Sequence, residues 1–354
     1  MDMSNPVAAS AVKPAVSTWL FVMCALVALM VTVGGATRLT DSGLSITEWK
    51  PVTGAIPPLN KADWLSEFEK YKQIPEYHIV NEGMSLSAFK QIYWWEWSHR
   101  FLGRLIGFVF LLPLIFFVVT KQVTRSLGAR LFGVFLLGGA QGALGWYMVK
   151  SGLTERIDVS QYRLAAHLSL AVLLFALMFW IALDLRKPVA GRARHPLFPG
   201  AAALALGVYA QMILGAFVAG LRAGRTYNTW PLMDGHIVPP AYFTGSPRLR
   251  DLFESLAAVQ FNHRLGAYLV GAGALWFFLA ARGTEAAKYA RIVLFAVAAQ
   301  ICLGIWTLLE VTPLPLGLAH QMGALIVLSS ALYAAHGLAG SGTAKSGALS
   351  SSSA

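Results

Sequence analysis

Long apolar segments alternate with shorter polar connections along the chain. Eight of these segments approach the length of about 20 residues with which a helix crosses a bilayer: residues 17–37, 99–120, 130–150, 164–184, 199–221, 262–282, 287–309 and 316–338. A helix satisfies its backbone hydrogen bonds internally, so such segments are stable in lipid. The pattern therefore predicts an all-α integral membrane protein with about eight transmembrane helices.

The longest polar connection, residues 38–92, contains a helical pattern of its own. In the sequence NKADWLSEFEKYKQIP, Asn60 is a suitable N-cap and Pro75 a suitable stop. Three aromatic residues between them would share one helix face: Trp64, Phe68 and Tyr71. We expect a short amphipathic helix on the outer surface here. The small polar residues from 341 onwards are typical of a disordered tail.

The composition agrees with a membrane protein, and the charges indicate its orientation. Charged residues make up 13% of the 354 residues, about half of the usual fraction in soluble domains. Much of the net charge of +11 lies in three short connections: Lys121, Arg125, Arg130, Arg186, Lys187, Arg192, Arg194, Arg282, Lys288 and Arg291. The positive-inside rule makes these connections and both termini cytoplasmic. No basic stripe carries interleaved aromatic residues, so nucleic-acid binding is not expected.

Two halves of the sequence resemble each other. The pair His99-Arg100 matches the pair His263-Arg264, and QGALGWYMV at 141–149 resembles QICLGIWTL at 300–308. The outer loops share further residues: Gly43, Trp49, Gly54 and Pro57-Pro58 correspond to Gly224, Trp230, Gly235 and Pro239-Pro240. This pattern predicts two pseudo-symmetric four-helix bundles, related as parallel repeats. The expected boundaries are a cytoplasmic tail at 1–16, halves at 17–184 and 199–338, a cytoplasmic linker at 185–198 and a tail at 339–354.

Four histidines are predicted to lie in one layer. Each half has an even number of helices, so corresponding helices start on the same side of the membrane: those of His99, His167, His263 and His320. Helix starts near Tyr93 and Tyr162 would place the first two at similar depths, about two turns in. A single membrane histidine can simply bond to a neighbouring helix, but four in register favour metal ligation.

Haem suits these histidines better than zinc does. Two imidazoles that face each other across a bundle can be the axial ligands of a haem, and small residues such as Gly103, Gly107 and Gly266 leave room for a flat ring. Close helix packing is the alternative explanation for those small residues. A tetrahedral zinc site would need three or four clustered ligands, and the chain lacks the HxxxH and CxxC spacings.

Charged residues near the outer surface are further candidates. Arg100, Arg104 and Arg264 could pair with haem propionates or extend to lipid headgroups. Glu96 precedes His99 by one helical turn, whereas the corresponding residue of the second half is Gln260. An acid at the bilayer boundary can be a solvated residue. Its replacement by an amide where the histidine is kept favours a proton acceptor at the first site only.

Taken together, these residues resemble the haem A synthase family over about residues 17–338. The resemblance rests on five motifs: EWSHR at 96–100, AAH at 165–167, NHR at 262–264, LAHQ at 318–321 and the outer-loop sequence TDSGLSITEWKPVTGAIPP. Members of that family are oxidoreductases that convert the C8 methyl group of haem O to the formyl group of haem A, which terminal cytochrome oxidases need. The resemblance implies that His99 and His167 bracket the substrate haem, that His263 and His320 hold a haem b cofactor, and that Glu96 is important for activity.

The resemblance also implies a location and partners. Cys24 and Cys302 lie in apolar segments, so the outer-loop cysteine pairs of some family members are missing, as in the proteobacterial and mitochondrial branch. We expect a multi-pass protein of the bacterial inner membrane, with both termini cytoplasmic and the haem sites near the periplasmic side. A haem O synthase and cytochrome oxidase assembly factors are the expected partners besides the lipid bilayer.

Two other functions are weighed against this one. A dihaem b-type cytochrome that takes electrons from quinol would explain the paired histidines, but it leaves the difference between Glu96 and Gln260 without a role. A transporter built of parallel repeats would need charged or broken helices at mid-membrane, which the sequence does not show. For the oxidation itself two routes stay open: water adds to an oxidised methyl carbon, or a histidine dissociates and admits dioxygen.

Overall fold

Helices make up most of the part of the chain that the computed structural model describes, residues 14–153, 156–189, 193–243 and 248–340. Eleven α-helices lie in these ranges: α1 (Pro14–Leu39), α2 (Lys61–Tyr71), α3 (Pro75–Val80), α4 (Leu86–Val119), α5 (Arg125–Lys150), α6 (Gln161–Arg186), α7 (Phe198–Gly220), α8 (Arg248–Glu254), α9 (Leu256–Ala280), α10 (Ala287–Leu309) and α11 (Leu314–Leu338). The predicted all-α class is confirmed. The predicted tail from 341 lies outside the described residues, as does most of the tail at 1–16, of which Pro14 to Val16 belong to α1.

Seven of the eight long helices are apolar and long enough to cross a membrane: α1, α4, α5, α6, α7, α10 and α11. The eighth, α9, was predicted as a span and has 25 residues. Its first half contains Gln260, Asn262, His263 and Arg264, which lower its hydropathy. The eighth span at α9 therefore remains a prediction.

The long helices pack in two rings. Neighbouring helices α1, α4, α5 and α6 contact one another in turn, and α6 contacts α1 again. The same closed order holds for α7, α9, α10 and α11, and the rings meet through α1, α6, α7 and α11. Because lipid tails are as apolar as leucine, close packing rather than transfer from water holds such helices together. That the two rings are repeats of one unit remains a prediction.

The outer loop of the first half folds against the start of α4. Asn60 caps α2 as predicted, because its side chain accepts a hydrogen bond from the backbone N–H of Asp63 at 2.9 Å. The predicted apolar face of α2 is buried: Trp64, Phe68 and Tyr71. It packs on Phe89 and Tyr93 of α4, with ring centroids of Phe68 and Phe89 4.9 Å apart. The prediction of an amphipathic helix is confirmed.

Two details of this region were predicted wrongly. Pro75 does not only end a helix but begins α3, where its fixed φ and missing N–H suit the first turn. The start of α4 is Leu86 rather than Tyr93, because Ser85 caps the helix by accepting a bond from Ala88 N–H. The residues between are amphipathic and pack on α2, so they do not belong to the apolar run that the sequence shows.

Glu76 is a buried acid in this outer region. Its carboxylate accepts a hydrogen bond from the Tyr71 hydroxyl at 3.2 Å, and only 4% of the residue is exposed. Burial raises the pKa of Glu76 to about 8, and the carboxylates of Glu96, Asp158 and Asp41 add to the rise. Glu76 is therefore mainly protonated at neutral pH.

Four charged residues join the outer ends of the two rings. Arg38 at the end of α1 donates to Asp158 at 2.7 Å and to the carbonyl groups of Ala219 and Gly220 at the end of α7. Arg222 lies 2.8 Å from both Asp158 and Asp41. Asp41 and Arg222 both have a left-handed backbone, with φ of 52° and 55°. This cluster links loops of the first ring to the end of α7.

Candidate functional site

Each of the four predicted histidines lies against a glycine of a neighbouring helix. A methyl group at the glycine would come 2.7 to 3.1 Å from an imidazole atom, closer than side chains normally approach. The pairs are Gly34 with His99, Gly145 with His167, Gly215 with His263, and Gly304 with His320. The glycines lie on α1, α5, α7 and α10. They provide the space that the four rings occupy between the helices.

A glutamine amide anchors three of the four histidines. The amide nitrogen of Gln211 donates to the backbone carbonyl of His263 at 2.7 Å and lies 3.0 Å from its Nδ1. Gln300 contacts His320 in the same way, at 2.7 and 3.1 Å. Gln141 donates to the carbonyl of His167 at 3.0 Å and lies 3.4 Å from its Nε2. These backbone and ring contacts together fix where each imidazole points.

The structure brings two of the four histidines together. The ring centroids of His263 and His320 are 6.3 Å apart, with ring planes at 81°. Two metal–nitrogen bonds of about 2 Å each, plus about 1 Å from each ring nitrogen to its centroid, give roughly 6 Å. This pair therefore leaves room for one metal ion between the imidazoles. The pairing of His99 with His167 remains a prediction.

The predicted acid, Glu96, holds the outer loop in place. It is 3% exposed. Its Oε2 accepts bonds from the hydroxyl of Ser45 and the N–H of Ile46, both at 2.8 Å. Its Oε1 accepts from Nε and Nη2 of Arg100 at 3.1 and 2.7 Å. These four bonds occupy the acceptor positions of a carboxylate, so Glu96 can accept a proton only if one of them is released.

Gln260 makes the corresponding contacts in the second half. Its amide nitrogen donates to the carbonyls of Ala223 and Thr226 at 2.8 and 2.5 Å, and its Oε1 accepts from Arg264 at 2.9 Å. Both residues therefore tie an outer loop and an arginine to the helix of a histidine. Only the first half places a negative charge there.

The three predicted arginines bind loop carbonyls. Arg100 donates to Ile46 and Glu48 at 2.7 and 2.9 Å, and Arg104 donates to Lys50 and Pro51 at 2.7 and 2.8 Å. Arg264 likewise donates to Tyr227 and Thr229. Their guanidinium groups fold the outer loops over the helix starts, which the sequence did not indicate. Nη1 of Arg104 and Nε of Arg264 are buried with no hydrogen-bond partner in the structure, so each is a donor available to an anion.

A cavity of about 410 Å³ lies beside these arginines. Its lining includes Arg100 and Arg104 together with Lys50, Lys70 and Tyr93. Glu48 also lines it, and hydrogen bonds from Lys50 and Lys70 hold the pKa of its carboxyl below the usual value. The cavity is therefore a charged chamber at the end of the first ring that carries α2.

The donor set fits a haem better than a bare metal ion. The described residues contain no group of three or more His, Cys, Asp or Glu side chains that could hold a metal. They offer imidazoles in pairs, which is what two axial ligands require. Nδ1 of His167 and Oε1 of Gln141 and of Gln211 are buried without partners in the structure. These unpaired polar atoms indicate that a bound group would turn the imidazole rings from the directions seen in the structure.

Comparison with known proteins assigns the chain to a family. The family described as "Cytochrome oxidase assembly protein" (COX15-CtaA) matches residues 17–332. The chain belongs to this family. A relative named "Heme A synthase" from Parvibaculum lavamentivorans is 56% identical over 325 residues, 92% of this chain and 94% of its own length. Relatives of the same name from Azorhizobium caulinodans and Nitrosospira multiformis are 53% and 50% identical and cover 92% and 93% of the chain and 95% and 94% of their own lengths. The family resemblance predicted from the motifs is confirmed.

The sequence analysis did not predict a role for several residues of the site. The alignment of the halves paired Gln141 with Gln300 without giving either a role. Gln211 and its helix partner Gly215 were missed, although a signal exists in the spacing: a glutamine stands four residues before the histidine-facing glycine on α5, α7 and α10. On α1 the corresponding residue is Met30.

Proposed function

We propose that this chain is a haem A synthase, an oxidoreductase that converts the C8 methyl group of haem O to the formyl group of haem A for terminal cytochrome oxidase. The observation that carries the proposal is the similarity to relatives of that name over more than nine tenths of the chain. The paired histidines support it, because the substrate itself contains iron that imidazoles can bind.

His99 and His167 are the proposed axial ligands of haem O, and His263 and His320 those of haem b. The separation of 6.3 Å between the rings of the second pair supports the haem b site. The acidic residue favours the first pair as the substrate site, because Glu96 and the charged chamber both lie beside α4 of the first ring. When bound, haem b supplies one-electron transfer to and from the substrate site.

Glu96 has two proposed tasks. It keeps the loop of Ser45 and Ile46 closed over the first site through the bonds described above. It also takes up a proton that leaves the substrate methyl carbon, because a carboxylate released from one of its partners becomes a general base. Arg100 stays close to stabilise the negative charge when the proton has passed on.

Arg104 is the proposed partner of a haem propionate. Its unpartnered Nη1 provides a donor beside the chamber, and guanidinium groups bind carboxylates through charge-assisted hydrogen bonds. Arg100 acts indirectly, because its donors hold the loop beside the first site. Arg264 holds the loop of the second half with Nη1 and Nη2 and keeps Nε for a propionate.

The proposed location is the bacterial inner membrane. The basic connections after α4, α6 and α9 would face the cytoplasm together with both termini. The histidine layer would lie near the periplasmic side. A haem O synthase is the proposed source of the substrate, and an oxidase assembly factor the proposed recipient of the product.

The haem content of the purified protein tests this function. The full chain is produced in a host that also makes haem O, and the haems are extracted and separated by chromatography. Haem O or haem A in addition to haem b is the expected result. Haem b alone would indicate a dihaem cytochrome instead, and a protein without any haem would refute both functions.

A further inference from the structure

Three of the four histidines have an amide partner, and the fourth has a thioether in its place. Gln141, Gln211 and Gln300 each precede by four residues the glycine that faces a histidine. Residues four apart on a helix share one face, so each glutamine reaches the backbone and ring of the same histidine. Gly34 faces His99, and the residue four positions before it is Met30.

A glutamine amide can orient an imidazole by holding the backbone of the same residue. Groups behind a metal-bound histidine fix the direction of its ring and change how firmly it binds the metal. In Gln211 and Gln300 the amide nitrogen lies against both the histidine carbonyl and its Nδ1, while Oε1 lies against Gly266 or Gly323. The amide therefore fixes the histidine backbone and limits how far the ring can turn.

His167 differs from the other two histidines in its ring contact. Its Nε2 rather than its Nδ1 faces Gln141, at 3.4 Å, and its Nδ1 is buried without a partner in the structure. The contact that all three glutamines share is the hydrogen bond from the amide nitrogen to the backbone carbonyl of the histidine.

Nothing equivalent holds His99. A thioether is a weak acceptor and donates no hydrogen bond, so Met30 can neither hold the backbone carbonyl nor orient the ring. The described residues provide no hydrogen bond to the His99 imidazole. Glu96 is one turn away, but its oxygens are taken by Ser45, Ile46 and Arg100.

We propose that Gln141, Gln211 and Gln300 are positioning residues that keep three imidazoles on iron, and that His99, which lacks such an amide, is the axial ligand that gives way to an outside ligand. This rests on the proposed function, because it takes the four histidines as haem ligands. The second site, with an amide on both histidines, then stays closed to small molecules. The first site opens on the side of His99.

Binding of carbon monoxide to the reduced protein measures this difference. Two preparations isolate the sites: protein from a host without haem O, which holds haem b alone, and His263→Ala protein from a host with haem O, which holds the substrate haem alone. The full chain is placed in lipid nanodiscs, reduced with dithionite and mixed rapidly with carbon monoxide. We expect the first site to bind it at least about ten times faster than the second, the scale on which a lost outer partner weakens a histidine ligand.

Exchanging methionine and glutamine at positions 30 and 211 should exchange the rates at which the two sites bind carbon monoxide. Met30→Gln should slow carbon monoxide binding at the first site about tenfold or more, and Gln211→Met should make haem b reactive by a similar factor. Gln321→Met is the matched control: this glutamine follows His320 directly, but its amide donates to the Val31 carbonyl at 3.1 Å. It should leave both rates unchanged.

Electron paramagnetic resonance and haem extraction on the same samples keep the result interpretable. A low-spin signal from two imidazoles shows that the site is assembled before carbon monoxide is added. If the Met30→Gln protein loses its haem, the rate of carbon monoxide binding to the Gln211→Met protein alone decides whether the proposal holds. Equal rates at the two wild-type sites, or a Gln211→Met protein with unreactive haem b, would overturn the proposal. Wild-type protein without haem would instead refute the proposed function itself.

Discussion

A methyl group added at Gly145 should weaken the first site without disturbing the fold. The new carbon would lie 2.9 Å from Cε1 of His167, whereas ordinary contacts begin at 3.4 Å. The imidazole would have to move by at least about 0.5 Å, which is the tolerance within which a functional site must be held. Overpacking of this kind costs roughly 1–3 kcal/mol, and each 1.4 kcal/mol is tenfold in affinity. We expect Gly145→Ala to bind haem O about ten times more weakly or worse.

The assay is a haem O titration of the purified protein, followed by extraction and chromatography of both haems. Gly142→Ala is the matched control on the same helix, because a methyl group there meets nothing within 4 Å. Alanine favours a helix over glycine by roughly 0.5–1 kcal/mol, so Gly142→Ala should fold at least as well as the wild type, and the same gain offsets part of the overpacking cost in Gly145→Ala. Haem b should be retained in both. Wild-type haem O affinity in Gly145→Ala would refute the reasoning that His167 and its glycine form the substrate site.

Three further results are expected. Glu96→Gln should retain both haems, since an amide oxygen can still accept from Arg100 as that of Gln260 accepts from Arg264, but should lower haem A output about a hundredfold because it lacks the base; unchanged output in extracted haems would remove Glu96 from the chemistry. His263→Ala and His320→Ala should each lose haem b, and spectra that show both haems at full content would contradict the assignment. For Glu76, the pKa raised to about 8 means that the unfolded chain releases this proton first, so stability falls as pH rises from about 5 to 8. Glu76→Gln should therefore unfold at a higher temperature than the wild type at pH 8, with the difference shrinking towards pH 5; a constant difference in a thermal melt would contradict the buried protonated acid.

Hydropathy predicted the long helices well where their whole surface is apolar. The segment 287–309 coincides with α10, and both Asn60 as a cap and the aromatic face of α2 were foreseen. The start of α4 was missed by two turns, because residues from Leu86 onwards combine exposed polar positions with buried ones such as Phe89. Periodicity over so short a stretch is weaker than a long apolar run.

The site was harder to predict, because its partners lie on other helices. The four histidines stood out by their register. The bonds of Arg100 and Arg104 to loop carbonyls could not be foreseen, since backbone carbonyl groups carry no signal in the sequence. Gln211 was missed because the corresponding residue of the first half is Met30. The two halves therefore do not match at this position, and their comparison did not draw attention to it.

The charged cluster between the rings also restricts which halves can associate. Asp41 and Arg222 occupy matching positions in the predicted repeat and meet at 2.8 Å. Two copies of the N-terminal half would bring aspartate against aspartate at this junction, and two copies of the C-terminal half would bring arginine against arginine. Like charges at such a distance repel, and this kind of repulsion is how proteins reject wrong partners. A duplicated ancestor with identical halves would have lacked this discrimination, so the opposite charges commit each half to the other.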